Sequence, residues 1–208
     1  MEFTGFSEQA FAFFEQVQAN PTWDFVQAQR ENWERHVHVP MEALLDALAP
    51  EFGGDGYAYH LHRDPRLWSH QVGIISVSDT IGYRAVLSLE GVLAQGGWTR
   101  SSPDQVERYR RAVDQGDSGA TLDDVLSSIR ASGCPIGGMQ LATRPRGWPA
   151  DHPRVELLRY RTLSASQWVS PAALSHSGCA DAVAAAWRDF RPLVSWLSEQ
   201  VGPRQPAR

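Results

Sequence analysis

Residues 57–98, YAYHLHRDPRLWSHQVGIISVSDTIGYRAVLSLEGVLAQGGW, decide the fold class. Tyr57, Tyr59 and Leu61 alternate with Ala58, His60 and His62, which is the period of a strand. Val72–Val77, Tyr83–Glu90 and Val92–Ala94 are further β-rich runs. Asp79-Thr80-Ile81-Gly82 and Glu90-Gly91 have the composition of tight hairpin turns. Links this short join antiparallel neighbours, because a parallel return needs a long crossover. The stretch therefore predicts an antiparallel meander.

Helical patterns flank it. Upstream, Ser7 is placed to cap a helix running to about Ala19, with Phe6, Ala10, Phe13, Phe14 and Val17 as its apolar stripe. Asn20-Pro21 ends it. Thr22 can cap a long second helix whose Trp23, Val26, Trp33, Val37, Met41, Leu44 and Leu48 would face the core. Pro40 should kink or divide that helix, and Gly53-Gly54-Asp55-Gly56 closes the region.

Downstream, Pro103 opens a helix with Val106, Tyr109 and Val113 inward. Thr121 with Asp124 resembles a capping box for a short helix to Arg130. Residues 139–142 read as a short strand, Asp151 as the cap of a helix through Tyr160, and Leu163–Val169 as a strand. Val183, Trp187, Phe190, Val194, Leu197 and Val201 form the seam of a final helix that Pro192 interrupts. Helices, a run of strands, then helices again predict an α+β fold. Its mostly antiparallel sheet of four to six strands would carry helices packed on one face. Residues 1–201 read as a single domain and 202–208 as a flexible tail.

The 208 residues are 42% hydrophobic and 21% charged, a globular composition. No apolar run reaches membrane-spanning length and no signal-peptide pattern opens the chain. Cys134 and Cys179 stand alone, so neither a disulfide scaffold nor a Cys-x-x-Cys site is available. These features predict a cytoplasmic protein. All 19 basic residues are arginines, which removes Walker-A and Schiff-base lysine chemistry and leaves the forked guanidinium as the anion ligand. Residues 1–104 carry 6 arginines against 14 carboxylates, and residues 105–208 carry 13 against 10. The second half is too weakly basic for phosphate-backbone binding, so no nucleic-acid partner is expected.

Several motifs fall in a familiar order. Phe3-Thr4-Gly5-Phe6 opens the chain, followed by Asn20, Trp23 and Phe25. Glu34-Arg35-His36-Val37-His38-Val39-Pro40 leads to Leu44-Leu45, and Arg63-Asp64-Pro65-Arg66 follows a strand. Gly96-Gly97-Trp98 precedes Pro103, and Arg146-Gly147-Trp148-Pro149-Ala150-Asp151-His152-Pro153 precedes Leu157-Leu158-Arg159. In order and spacing the chain resembles, end to end, the family of domain of unknown function 2461. The resemblance implies a fold and conveys no reaction. In that family a Lys-Asp-Lys-x-Pro-Tyr-Lys loop usually follows the Arg-Asp-x-Arg strand end. Here Leu67-Trp68-Ser69-His70 leads directly into the next strand, so a role of that loop toward an anion would be lost or changed.

Four constellations carry candidate chemistry. Arg63 and Arg66 at a strand end suit a carboxylate or phosphate, or else tie the strand to a neighbouring helix by an ion pair. His60 and His62, on one side of a strand, could ligate zinc or iron with His70 and Asp64; the alternative is a solvated polar face. Asp64 and His152 are the candidate acid–base residues, His152 standing beside Asp151, Arg144 and Arg146. The alternative reading of Asp151 and Pro153 is a helix start. Trp68, Trp98, Trp148 and Trp168, among eight tryptophans, could wall an aromatic pocket or lid the core. No Gly-x-Ser-x-Gly elbow accompanies them, which argues against a serine hydrolase.

The leading expectation is a domain binding an anionic small molecule between sheet and long helix, through Arg63, Arg66, Trp98, Arg146 and Trp148. An enzyme using Asp64, His152 or the histidine strand, and a protein-interaction module, are the alternatives. No cofactor is named by the sequence, and no oligomeric state.

Overall fold

Ser7 precedes α1 (Glu8–Ala19), which buries the four apolar positions its period selects: Ala10, Phe13, Phe14 and Val17. The computed structural model describes residues 2–59, 64–170 and 173–205. The long second helix is broken into α2 (Trp23–Ala28), α3 (Arg30–Trp33), a π-helical turn (Glu34–His38) and α4 (Val39–Phe52). Pro40 explains the wide turn. Its ring would press on the carbonyl of His36, four residues back, and it has no N–H to offer there. A turn of larger radius relieves both problems. Trp23, expected inward, is 39% exposed; Val26, Trp33, Val37, Met41, Leu44 and Leu48 are buried as their spacing predicts.

After β1 (Gly56–Tyr59) the described chain resumes at Asp64 and makes a 3-10 turn (Pro65–Ser69). Then follow β2 (Gln71–Ser76), β3 (Ile81–Ser88) and β4 (Gly91–Trp98). Next come α5 (Pro103–Asp114), α6 (Gly116–Ala131), β5 (Ile136–Gly137), α7 (Val155–Leu158), β6 (Leu163–Trp168) and α8 (Gly178–Gln200). The six strands form an antiparallel sheet in the order β1-β2-β3-β4-β6-β5. In the first pair, Gly56 stands opposite Ile75 and Tyr59 opposite Val72.

Three expectations in the second half are corrected. Thr121 caps nothing: it lies inside α6, its hydroxyl donating to the Asp117 carbonyl one turn back. Asp151 does not start a helix; α7 begins four residues later and lasts one turn. Residues 139–142 contribute only an isolated bridge, Gln140 to Tyr160.

Contacts divide the chain into two compact units. Unit one is Met1–Ile75, Tyr83–Ala94 and Trp168–Ala186; unit two is Ser76–Gly82, Gln95–Gln167 and Trp187–Arg208. In unit one α4 packs close on β2 at Gly73. A Cβ there would stand 2.5 Å from the Met41 sulfur, so a larger residue would require the Met41 side chain to shift. In unit two Trp98, Tyr109 and Trp196 pack ring to ring, and Trp187, Phe190 and Leu197 of α8 are buried as the seam predicts.

Residues 202–205, expected to be free, carry specific hydrogen bonds in unit two. Buried Gln105 is their centre. Its amide nitrogen donates to Thr80 Oγ1 and to the Gly202 carbonyl, both at 2.8 Å, while its oxygen accepts from the Ser102 N–H. Arg108 donates to the carbonyls of Val201 and Pro203, Arg204 pairs with Asp79, and the Gln205 N–H donates to Asp104.

Candidate functional site

The π-helical turn and the 3-10 turn of unit one bring together side chains far apart in sequence. Asp64 caps the 3-10 turn, its Oδ1 accepting from the Arg66 N–H at 3.0 Å, and Pro65 occupies the first position, where no N–H is needed. This buries Trp68, whose ring meets Trp33 edge-on with centroids 4.8 Å apart. Trp33 also meets His38, stacked at 4.8 Å and 20°. His38 is 5% exposed, and its Nε2 lies 3.3 Å from Glu42 Oε1.

Trp33, Tyr59, Leu67, Trp68, His70 and Gln71 line a crevice with about 10 Å³ of open volume. That is room for about one water-sized group. Gln71 is buried and held by its amide nitrogen, which donates to the carbonyls of Tyr59 (2.9 Å) and Val72 (3.2 Å). Burial pushes the His70 pKa down, and the Arg84 guanidinium pushes it the same way. His70 is therefore neutral at pH 7, with one N–H to donate and one nitrogen to accept. Tyr59 and Leu67, 46% and 37% exposed, form an apolar rim.

The sequence profile of the conserved hypothetical protein family DUF2461 matches residues 9–196. The chain belongs to the DUF2461 family. No curated protein and no solved structure matches it. Every crevice residue of this DUF2461 protein falls inside the matched span. Among its described residues no helix is long and apolar enough to cross a membrane.

The residues singled out from the DUF2461 sequence are dispersed. His60, His62 and Arg63 lie outside the described residues. Among the described residues no group of three or more His, Cys, Asp or Glu side chains is placed to hold a metal ion. Asp64 and Arg66 pair with each other at 2.8 Å on the surface. The Arg66 hydrogen bond holds the Asp64 carboxyl below its ordinary range.

Trp98 is fully enclosed in unit two, Trp148 packs edge-on against His152, and Arg146 is exposed. Both nitrogens of His152 are engaged: Nδ1 accepts from the Arg154 N–H at 3.0 Å, and Nε2 stands 3.2 Å from Asp114. In this arrangement His152 braces the segment before α7 against the end of α5. Four arginines of unit two are engaged with main-chain carbonyls. Arg110 donates to Leu158 O, Arg144 to Trp148 O, Arg159 to Leu141 O, and Arg154 to Val113 O at 2.7 Å with Asp114 O and Gln115 O beyond. Three of these carbonyls end α5, where a helix lacks internal donors.

Sequence reasoning missed His38 and Gln71. On a regular helix His36 and His38 diverge, and nothing in the spacing shows which is buried. The one available signal was Pro40, whose strain widens the turn that carries both.

Proposed function

We propose that this DUF2461 protein binds small molecules and takes an anionic group, a carboxylate or phosphate oxygen, at the crevice of unit one. The observation that carries the reading is the state of His70: a half-buried, neutral imidazole in the positive field of Arg84, walled by Trp33 and Trp68. A neutral imidazole N–H donates to an anion without the cost of burying a second cation, and Arg84 supplies the charge complement. The volume admits only the tip of a ligand. Its body would lie on the exposed rim of Tyr59 and Leu67. Two buried free thiols, Cys134 and Cys179, support a cytoplasmic setting.

Tryptophan fluorescence and thermal shift against small carboxylates and phosphates test this reading. Binding should change the emission of Trp33 and Trp68 and raise the melting temperature. His70→Ala should abolish both responses while the circular dichroism spectrum stays native. Responses that survive His70→Ala in full place the ligand elsewhere.

A further inference from the structure

A second cleft in unit one has the opposite electrostatic character and plays no part in the crevice reading. Phe6 donates its N–H to the Leu174 carbonyl at 2.7 Å, fixing the N-terminal segment beside residues 174–175. The β3–β4 turn closes the other side. Between them lies a cleft of about 270 Å³, lined chiefly by Phe6, Phe11, Leu89, Leu174, Glu8 and Glu90. Among the described residues no cationic side chain lines it.

The two glutamates are not equivalent. The Glu90 carboxylate is held in place, accepting from the Ser88 hydroxyl at 2.7 Å while the Glu90 N–H donates to Ser88 Oγ. Glu8 sits in the first turn of α1, where part of its charge answers the positive end of the helix. Among the described residues neither has an ion-pair partner. An anion would be repelled here. A bare metal ion would find two carboxylates in an apolar setting, short of a coordination shell. An organic cation meets complementary groups: carboxylate for the charge, the part-exposed Phe11 ring for cation–π contact, leucine side chains for its carbon. The volume suits a cation of a few carbon atoms.

We infer that this cleft is a binding site for a small organic ammonium ion. Glu90 is its principal charge partner and Glu8 the lesser one.

Calorimetric titration with choline as the probe, against its neutral carbon isostere 3,3-dimethylbutan-1-ol, tests the inference. Choline should bind and the isostere should bind at least about fivefold more weakly, the scale of a cation–π contact plus a partly screened charge. Glu90→Gln should weaken choline more than Glu8→Gln does. Phe11→Leu, which keeps the cleft apolar, should weaken choline and leave the isostere unchanged. His70→Ala should alter nothing here, since the crevice is a separate site. No choline binding, an isostere that binds as tightly as choline, or unchanged affinity in a natively folded Glu90→Gln protein would each overturn it.

Discussion

The two units use polar side chains in opposite ways. In unit two they close on the main chain. Five arginines donate to backbone carbonyls, Gln105 joins Thr80, Ser102 and Gly202, and His152 is braced at both nitrogens. Unit one places a neutral histidine, a buried glutamine and a tryptophan pair around open space, and two glutamates around another opening. Abundance of a residue type is therefore a poor guide to what its side chains are free to do. Five guanidinium groups of unit two serve as scaffold, while the crevice at His70 and the cleft at Glu90 lie in unit one.

The sharpest way to break this contrast is Gln105→Leu. It strands Thr80, the Gly202 carbonyl and the Ser102 N–H at once, so urea denaturation should show a loss of about 3 kcal/mol. Arg154→Met should follow at about 2 kcal/mol, from carbonyls left at the end of α5. Arg154→Lys should recover little of it, because an ammonium cannot reproduce the fork. If either substitution leaves stability intact but removes ligand binding, the scaffold reading of unit two is wrong.

The next effects separate the units by pH. His70 has a depressed pKa, so below its ordinary 6.5 the unfolded chain takes up the proton first. Stability should fall as pH drops below that value, and His70→Gln should flatten this part of the profile. Asp104 acts lower. The Ser102 hydroxyl foremost, with the Gln205 N–H and Arg108, pulls its pKa down to about 2. Its contribution is complete above the ordinary value of 3.8 and is lost as pH falls toward 2, and Asp104→Asn should remove that component. The smallest effect is Arg66→Ala. Its pair with Asp64 is open to solvent, so the melting temperature should not measurably change.

The periodic parts of the fold were legible in the sequence. The seam of α8 and the antiparallel strands of residues 71–98 depend on local spacing alone, and the structure has them, with β3 starting two residues earlier and β4 running four residues further than the pattern suggests. The caps at Thr121 and Asp151 misled because capping residues are common and act only where the backbone turns to meet them. The crevice was half legible. Trp68 and His70 are candidates in the sequence, but Trp33 reads as plain core and His38 carries no signal beyond its place on a helix, because their meeting depends on a non-standard turn. The role of the arginines was not legible, since composition counts donors and says nothing of which acceptors they reach.

The widened turn at Glu34–His38 also fixes the phase of everything before it. It absorbs one more residue than a regular turn would, so it works as a spacer within an otherwise continuous rod. Removing that extra residue should restore ordinary winding and leave Trp33 close to its place between His38 and Trp68. Removing a residue from the regular winding of α4 should instead turn the preceding segment by about 100°. The widened turn is thus the place in this rod where a single-codon deletion should do the least harm.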